Sequence, residues 1–236
     1  ALTYGFHDRK AEKHLMVIDL GGGTLDVTLM EIFEGNLEII STAGESMLGG
    51  EDFTDRLLAT ILRKEGQQLE AAELKQPLRV ARIRQECESA KRELASAQEA
   101  PIRLANSAGE FDENSVTVKL TRKNFAAICQ PLLERLKGPI GQALRDGNLA
   151  LDDVNDIILV GGSTRMVVLE QMVQDYFERK PLCSFDPDQV VAIASDRTLG
   201  LDCLEFGLDD VGPLVDFLET RFISPQRSDK VDEEGS

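Results

Sequence analysis

The sequence reads as an α/β chain with a small α+β unit in its middle, and three stretches lead to that reading. The first is Leu15 to Thr28, an apolar run that passes through three glycines into an alternating one. The second is Ile157 to Val160, a buried-type strand that runs straight into Gly161, Gly162 and a helix start. The third lies between them, where amphipathic helices and two short alternating segments make up a unit of their own, residues 49–124.

Taken in order, Ala1 to Phe6 read as the end of a helix whose beginning is absent, followed by a polar turn from His7 to Lys13. Leu15 to Ile18 form a β-branched strand that ends in Asp19, and Val27, Leu29 and Ile32 carry the next. The turn between them holds Gly21, Gly22, Gly23 and Thr24. Glycines in succession let backbone N–H groups converge with no Cβ in the way, which favours a phosphate. The Thr24 hydroxyl and the carboxylates of Asp19 and Asp26 suit a magnesium ion or its waters. An ordinary glycine-rich hairpin flanked by solubilising acids uses the same residues, and a carboxylate on each side of the turn favours the phosphate and metal reading over it.

Glu34-Gly35-Asn36 signals a turn, and Leu37, Ile39 and Ser41 continue into a third strand, giving an antiparallel meander. The stretch from Ser41 leads into a helix that carries Phe53, Leu57, Leu58, Ile61 and Leu62 on one side. Gly49-Gly50 is its flexible corner, and Glu51 and Asp52 complement its N-terminal dipole. From Pro77 to about Gln98 a long helix has an apolar stripe of Val80, Ile83, Cys87, Ala90, Leu94 and Ala97. Glu88, Lys91, Arg92 and Ala95 share another face, which by itself is an ordinary solvated one. Ile102 to Asn106 and Val116 to Leu120 alternate as strands. Thr121 is placed to cap a helix carrying Phe125, Ile128, Cys129, Leu132, Leu133, Leu136 and Ile140, with Pro131 and Pro139 expected to kink it. Gly161-Gly162-Ser163-Thr164-Arg165 then follows the buried strand and opens a helix with Val168, Met172, Val173 and Tyr176. Asp186 to Ala194 read as a helix started by Pro187.

Composition narrows the function classes. A chain of 236 residues, 42% hydrophobic and 29% charged, is an ordinary globular composition. No apolar run approaches the roughly 20 residues of a membrane span, and the first residues lack a signal-peptide core, so a cytoplasmic location is expected. The net charge of -16 argues against nucleic acid and anionic membrane as partners. Four dispersed cysteines and two histidines suggest neither a disulfide framework nor a zinc site.

The wording Asp19-Leu-Gly-Gly-Gly-Thr-x-Asp-Val27 resembles the second phosphate loop of the actin, sugar-kinase and heat-shock chaperone superfamily, and is close to that of the seventy-kilodalton heat-shock (DnaK-type) chaperones. Glu86 to Leu94 and Gly161 to Arg165 resemble the helix and the adenosine motif of the same family, in that order and at plausible spacing. The resemblance runs from about Ala1 to Ala194. It implies one lobe of an actin-like ATPase domain, with a ribonuclease H-like sheet and flanking helices. The larger subdomain would comprise residues 15–48 and 125–200, the inserted one 49–124, and residues 201–236 would be a divergent, partly disordered acidic tail, with ten acids against three bases from Asp202 onward.

By resemblance the ligands are ATP or ADP with Mg2+. Gly21, Gly22, Gly23, Thr24, Gly49 and Gly50 would meet the phosphates, and Asp19 and Thr24 would sit near the γ-phosphate and the attacking water. Asp19 and Asp26 would hold magnesium mostly through waters. Glu88, Lys91, Arg92, Gly161, Gly162, Ser163, Arg165 and Asp188 would line the adenosine, while Ala95 stands where the family has a contacting serine. The family's cleft has a second wall with its own phosphate loop and a lysine, and only fourteen residues precede the first strand here. An ATPase parent is therefore expected, with little or no hydrolysis by this chain alone, and with client binding residing elsewhere. A nucleotide-exchange factor and a J-domain co-chaperone are the partners implied for that parent. Two other readings stand beside this one: a non-enzymatic module that binds an exchange factor through the small unit, and a lobe of a superfamily kinase. The Gly49-Gly50-Glu51-Asp52 corner and the Glu88/Lys91/Arg92 face favour the chaperone branch over the kinase branch.

Overall fold

The leading apolar run sits at the middle of the sheet. In a computed structural model of the chain, which describes residues 12–33 and 36–182, strand β1 (Lys13–Leu20) pairs antiparallel with β2 (Leu25–Phe33), and β2 with β3 (Asn36–Glu45). Strand β6 (Val154–Val160) joins the other side of β1 in parallel, so the order is β3-β2-β1-β6. Leu15, Met16, Ile18 and Leu20 are all fully buried, as expected for a strand with a neighbour on each edge and helices to cover it.

The register fixes where the loops emerge. Asp19 lies opposite Asp26 on one side and opposite Val160 on the other. The β1–β2 turn and the loop after β6 therefore leave the sheet at the same end of β1, although about 140 residues separate them along the chain.

Helix α1 (Gly50–Lys64) buries the five apolar residues expected of it. Helix α3 (Pro77–Glu93) buries Val80, Ile83, Cys87 and Ala90, and ends before Gln98, since Leu94 to Ala97 turn out of the helix to reach β4 (Glu99–Arg103). Strand β5 (Thr117–Thr121) pairs antiparallel with β4 in a separate two-stranded sheet. Between α1 and α3 lies a short helix that the sequence reading lacks, α2 (Leu69–Lys75). Only Ala72 of it is buried, so no apolar stripe marks it. Arg84 of α3 bridges to Asp55 of α1 and Glu73 of α2, and the nearly buried Arg79 forks onto Glu65 while its Nε donates to the Ala105 carbonyl. These arginines tie the helices into one unit.

Helix α4 (Arg122–Asp146) starts where predicted, with the Thr121 hydroxyl accepting from the Asn124 N–H at 3.2 Å. It runs unbroken through both prolines. Phe125 meets Phe53 of α1 with ring centroids 6.4 Å apart, and the Ser41 hydroxyl donates to the Ala143 carbonyl, so α4 lies against α1 and β3. Helix α5 (Val167–Phe177) follows a single 3-10 turn at Gly162–Arg165. Strand β3 is longer than expected, ending at Glu45, because it stays in the β2 ladder through a polar stretch with no alternating pattern. Among the described residues no helix is long and apolar enough to cross a membrane. The expected Asp186–Ala194 helix, Asp188 and the acidic tail lie outside the described residues.

Candidate functional site

Three glycine-bearing loops converge at the end of β1. The Gly21 N–H donates to the Thr24 carbonyl at 2.9 Å and closes the β1–β2 turn, leaving Gly22, Gly23 and Thr24 exposed. Among the described residues, nothing accepts from the Gly22 or Gly23 N–H. Free amides on a turn without side chains are the components of an anion nest.

The second loop is the Gly49-Gly50 corner. The Gly50 N–H donates to the Gly21 carbonyl at 2.9 Å, and the Glu51 N–H to the Gly22 carbonyl at 2.8 Å. A Cβ at Gly49 would lie 2.4 Å from the Gly22 carbonyl and from the Gly23 Cα, so only glycine permits this approach. The corner is held from within by the Asp52 carboxylate, which accepts the Gly49 N–H at 2.7 Å.

The third loop is Gly161 to Arg165. Gly161 has φ +92°, and a Cβ there would stand 2.5 Å from the Asp19 carboxylate and from the Leu20 carbonyl. The Ser163 hydroxyl donates to the Gly21 carbonyl at 2.8 Å, so that carbonyl accepts from both other loops. The buried Thr164 hydroxyl returns to the Gly161 carbonyl at 2.6 Å and fixes the turn. Arg165 is exposed at its outer end.

Asp19 and Asp26 face each other as a register pair at the base of the turn. Burial, and then the neighbouring Asp26 charge, push the Asp19 carboxyl up to about 6. Among the described residues no group of three or more His, Cys, Asp or Glu comes together, so any cation here has two carboxylates at most. That donor set fits magnesium, which keeps most of its waters, and an added positive charge would relieve the crowding of the two acids. Gly44 of β3, opposite Asp26, makes this possible: a Cβ there would lie 3.1 Å from the Asp26 carboxylate and 2.7 Å from the Leu25 carbonyl.

The face of α3 singled out in the sequence divides. Arg92 is 79% exposed, but Lys91 is 7% exposed and turned inward. Its ammonium donates to the Gly50 carbonyl at 2.6 Å and the Thr54 hydroxyl at 2.9 Å, and pairs with Glu88 at 2.6 Å. Glu88 in turn accepts from the Thr54 hydroxyl at 2.6 Å and from Arg92 Nε at 2.8 Å. Burial alone would raise the Glu88 carboxyl, but the Lys91, Thr54 and Arg92 hydrogen bonds outweigh it and bring it down to about 2. Thr54 is a site residue that sequence reading missed. Its signal was a threonine one turn past Gly50 on an otherwise apolar helix face.

The structure thus joins Gly21 to Thr24, Gly49, Gly50, Gly161, Ser163 and Asp19 in one junction and brings Glu88 and Lys91 against it from α3. Asp188 lies outside the described residues.

Comparison with known proteins agrees with this architecture. The family model described as "Hsp70 protein" matches residues 1–224, past the Ala194 at which the motif resemblance ends. The chain is 37% identical over 225 residues to the "Chaperone protein dnaK" of Trieres chinensis, covering 93% of this chain and 36% of that protein. It is 37% identical over 228 residues to the "Stromal 70 kDa heat shock-related protein, chloroplastic" of Pisum sativum, covering 93% and 32%. With the "Chaperone protein dnaK1" of Parasynechococcus marenigrum (strain WH8102) it shares 39% identity over 235 residues, covering 93% and 34%. The chain spans about a third of the length of the curated relatives it matches. A glycine junction of this form, on a mixed α/β lobe matched over most of its length by one family, places the chain in the Hsp70 protein family.

Proposed function

We propose that this chain is a nucleotide-binding lobe of a chaperone-type ATPase and takes ATP or ADP with Mg2+ at the glycine junction. The observation that carries the reading is the Gly21 carbonyl, which gathers the Gly50 and Ser163 loops onto the β1–β2 turn while the Gly22 and Gly23 amides stay open. A backbone nest and a nucleoside loop held together have the form of a site that reads phosphate and base at once.

In this reading the Gly22 and Gly23 amides take phosphate oxygens, and Thr24 offers its hydroxyl beside them. Asp19 and Asp26 hold magnesium, chiefly through its waters, and the ion when bound offsets phosphate charge. Glu88, kept ionised by Lys91 and Arg92, accepts from ribose hydroxyls. Arg92, 79% exposed, and Arg165, which the family resemblance sets beside the adenine, offer planar cations suited to stacking on the base. Gly162, where a Cβ would meet nothing within 4 Å, leaves the backbone open to the nucleoside, Gly161 sets that loop against Asp19 and Leu20, and Asp188 would complete that side.

Hydrolysis by this chain alone should be slow. Charge stabilisation and exclusion of water around the γ-phosphate are shared, in this superfamily, with a facing lobe. Magnesium-dependent turnover well above a Thr24→Ala control would overturn that part of the reading. The family match favours the chaperone branch over the kinase reading. The non-enzymatic alternative, a docking unit for a nucleotide-exchange factor, has one observation in its favour: Leu74, Leu78 and Val116 of the small unit are 87%, 56% and 61% exposed.

Calorimetric titration of the chain with magnesium-ADP tests the proposal. Saturable binding weakened by both Glu88→Ala and Arg165→Ala is the expected result, and no heat of binding in a folded sample would reject it.

A further inference from the structure

The Ser163 hydroxyl was expected to face adenosine, yet its hydrogen bond is spent on backbone, at the Gly21 carbonyl. That carbonyl belongs to the first residue of the phosphate turn. The same turn is closed by the bond from Gly21 N–H to Thr24 carbonyl, so a shift of Gly21 moves the open amides of Gly22 and Gly23 with it. Ser163 stands on the nucleoside loop, next to Gly162 and one residue before the Thr164 that locks that loop onto Gly161. It is therefore a single side chain linking the part of the site that would hold the nucleoside to the part that would hold phosphate.

The surroundings leave that hydroxyl little freedom. A Cβ on Gly50 would fall 2.2 Å from Ser163 Oγ and 3.4 Å from the Lys91 ammonium. Ser163 and Lys91 thus both occupy the space that a side chain on Gly50 would need, and the Gly50 N–H donates to the same Gly21 carbonyl at 2.9 Å. With two donors both lone pairs of the carbonyl are engaged.

We infer that Ser163 is a positioning residue, which fixes the phosphate turn relative to the nucleoside loop through the Gly21 carbonyl, and that its hydroxyl contributes to affinity for the phosphates and not for the adenosine. This rests on the nucleotide reading above. The test is a pair of titrations of the full 236-residue chain with adenosine and with magnesium-ADP, in wild type, Ser163→Ala and Gly50→Ala. In Ser163→Ala the adenosine affinity should stay within twofold, while ADP binding weakens by roughly five- to tenfold, as for one lost hydrogen bond. Gly50→Ala, whose methyl must displace the Ser163 hydroxyl, should show the same selective loss, and the double variant should add little to either. Thermal unfolding of each variant confirms that a folded chain is being titrated, and if one variant does not fold the other decides. Equal weakening of adenosine and ADP, or no change in either, would overturn the inference while leaving the nucleotide site standing. If wild type binds neither ligand, the nucleotide reading fails and this inference with it.

Discussion

The β1–β2 turn and the charged face of α3 meet at Gly50, but they are built on opposite terms. The turn acts through backbone, and its glycines are required by close approach: Gly49 touches the Gly22 carbonyl and Gly161 the Asp19 carboxylate, with no room for a methyl. The α3 face acts through side chains, and neighbouring ones are used differently. Lys91 is buried under the corner as a support, whereas Arg92 one residue on is open to solvent. Identical spacing along a helix therefore says which residues are neighbours and leaves open which of them touch a ligand.

The sharpest way to break this comparison is to place a methyl where backbone meets backbone. Gly49→Ala and Gly161→Ala should each cost on the order of 1–3 kcal/mol or more, as overpacking does, and Gly161→Ala adds strain at its positive φ. Chemical denaturation measures the loss, and both variants should also lose nucleotide. Lys91→Met comes next. It strips a buried cation from Glu88, the Gly50 carbonyl and Thr54, and since Glu88 is a third exposed the cost should be roughly 1–3 kcal/mol, less than for a fully buried pair.

Gly23→Ala should separate binding from folding. A Cβ there meets nothing within 4 Å, so unfolding should shift by less than about 0.5 kcal/mol. Nucleotide affinity should nevertheless fall, because the methyl occupies the mouth of the nest; unchanged affinity would mean that phosphate does not sit there.

A pH series sharpens the role of the acid pair. The Asp19 carboxyl is raised to about 6 from an ordinary 3.8. Its contribution to stability is then present below pH 4 and lost as pH rises through 6. In magnesium-free buffer the melting midpoint of wild type should carry a fall between pH 4 and 7 that Asp19→Asn lacks, and added magnesium at pH 7.5 should recover part of it. The smallest effect belongs to Arg92→Ala, expected within about 0.5 kcal/mol of wild-type stability because the side chain is 79% exposed.

These contrasts also show what sequence could and could not reveal. The turn was legible because its chemistry is local: strand, carboxylate, three glycines and threonine lie within a dozen residues. The same holds for the apolar stripes of α1 and α3, and for the Thr121 cap. The inward course of Lys91 was legible only in part: it stands four residues after Cys87 and three before Leu94 of the apolar stripe, but the partners that hold its ammonium, Gly50 and Thr54, lie about 40 residues earlier. Ser163 was invisible in its positioning role for a similar reason, since its partner Gly21 lies 142 residues away. Helix α2 has one buried residue and so no periodicity to read, and the last residues of β3 are strand only through pairing with β2.

The central claim is that both regions hold one ligand, and amide hydrogen exchange of the full chain with and without magnesium-ADP tests it most directly. The account predicts that ADP slows exchange together in segments 19–26, 86–93 and 161–165. Protection confined to one of these segments, or absent from all three at saturating ADP, would contradict it.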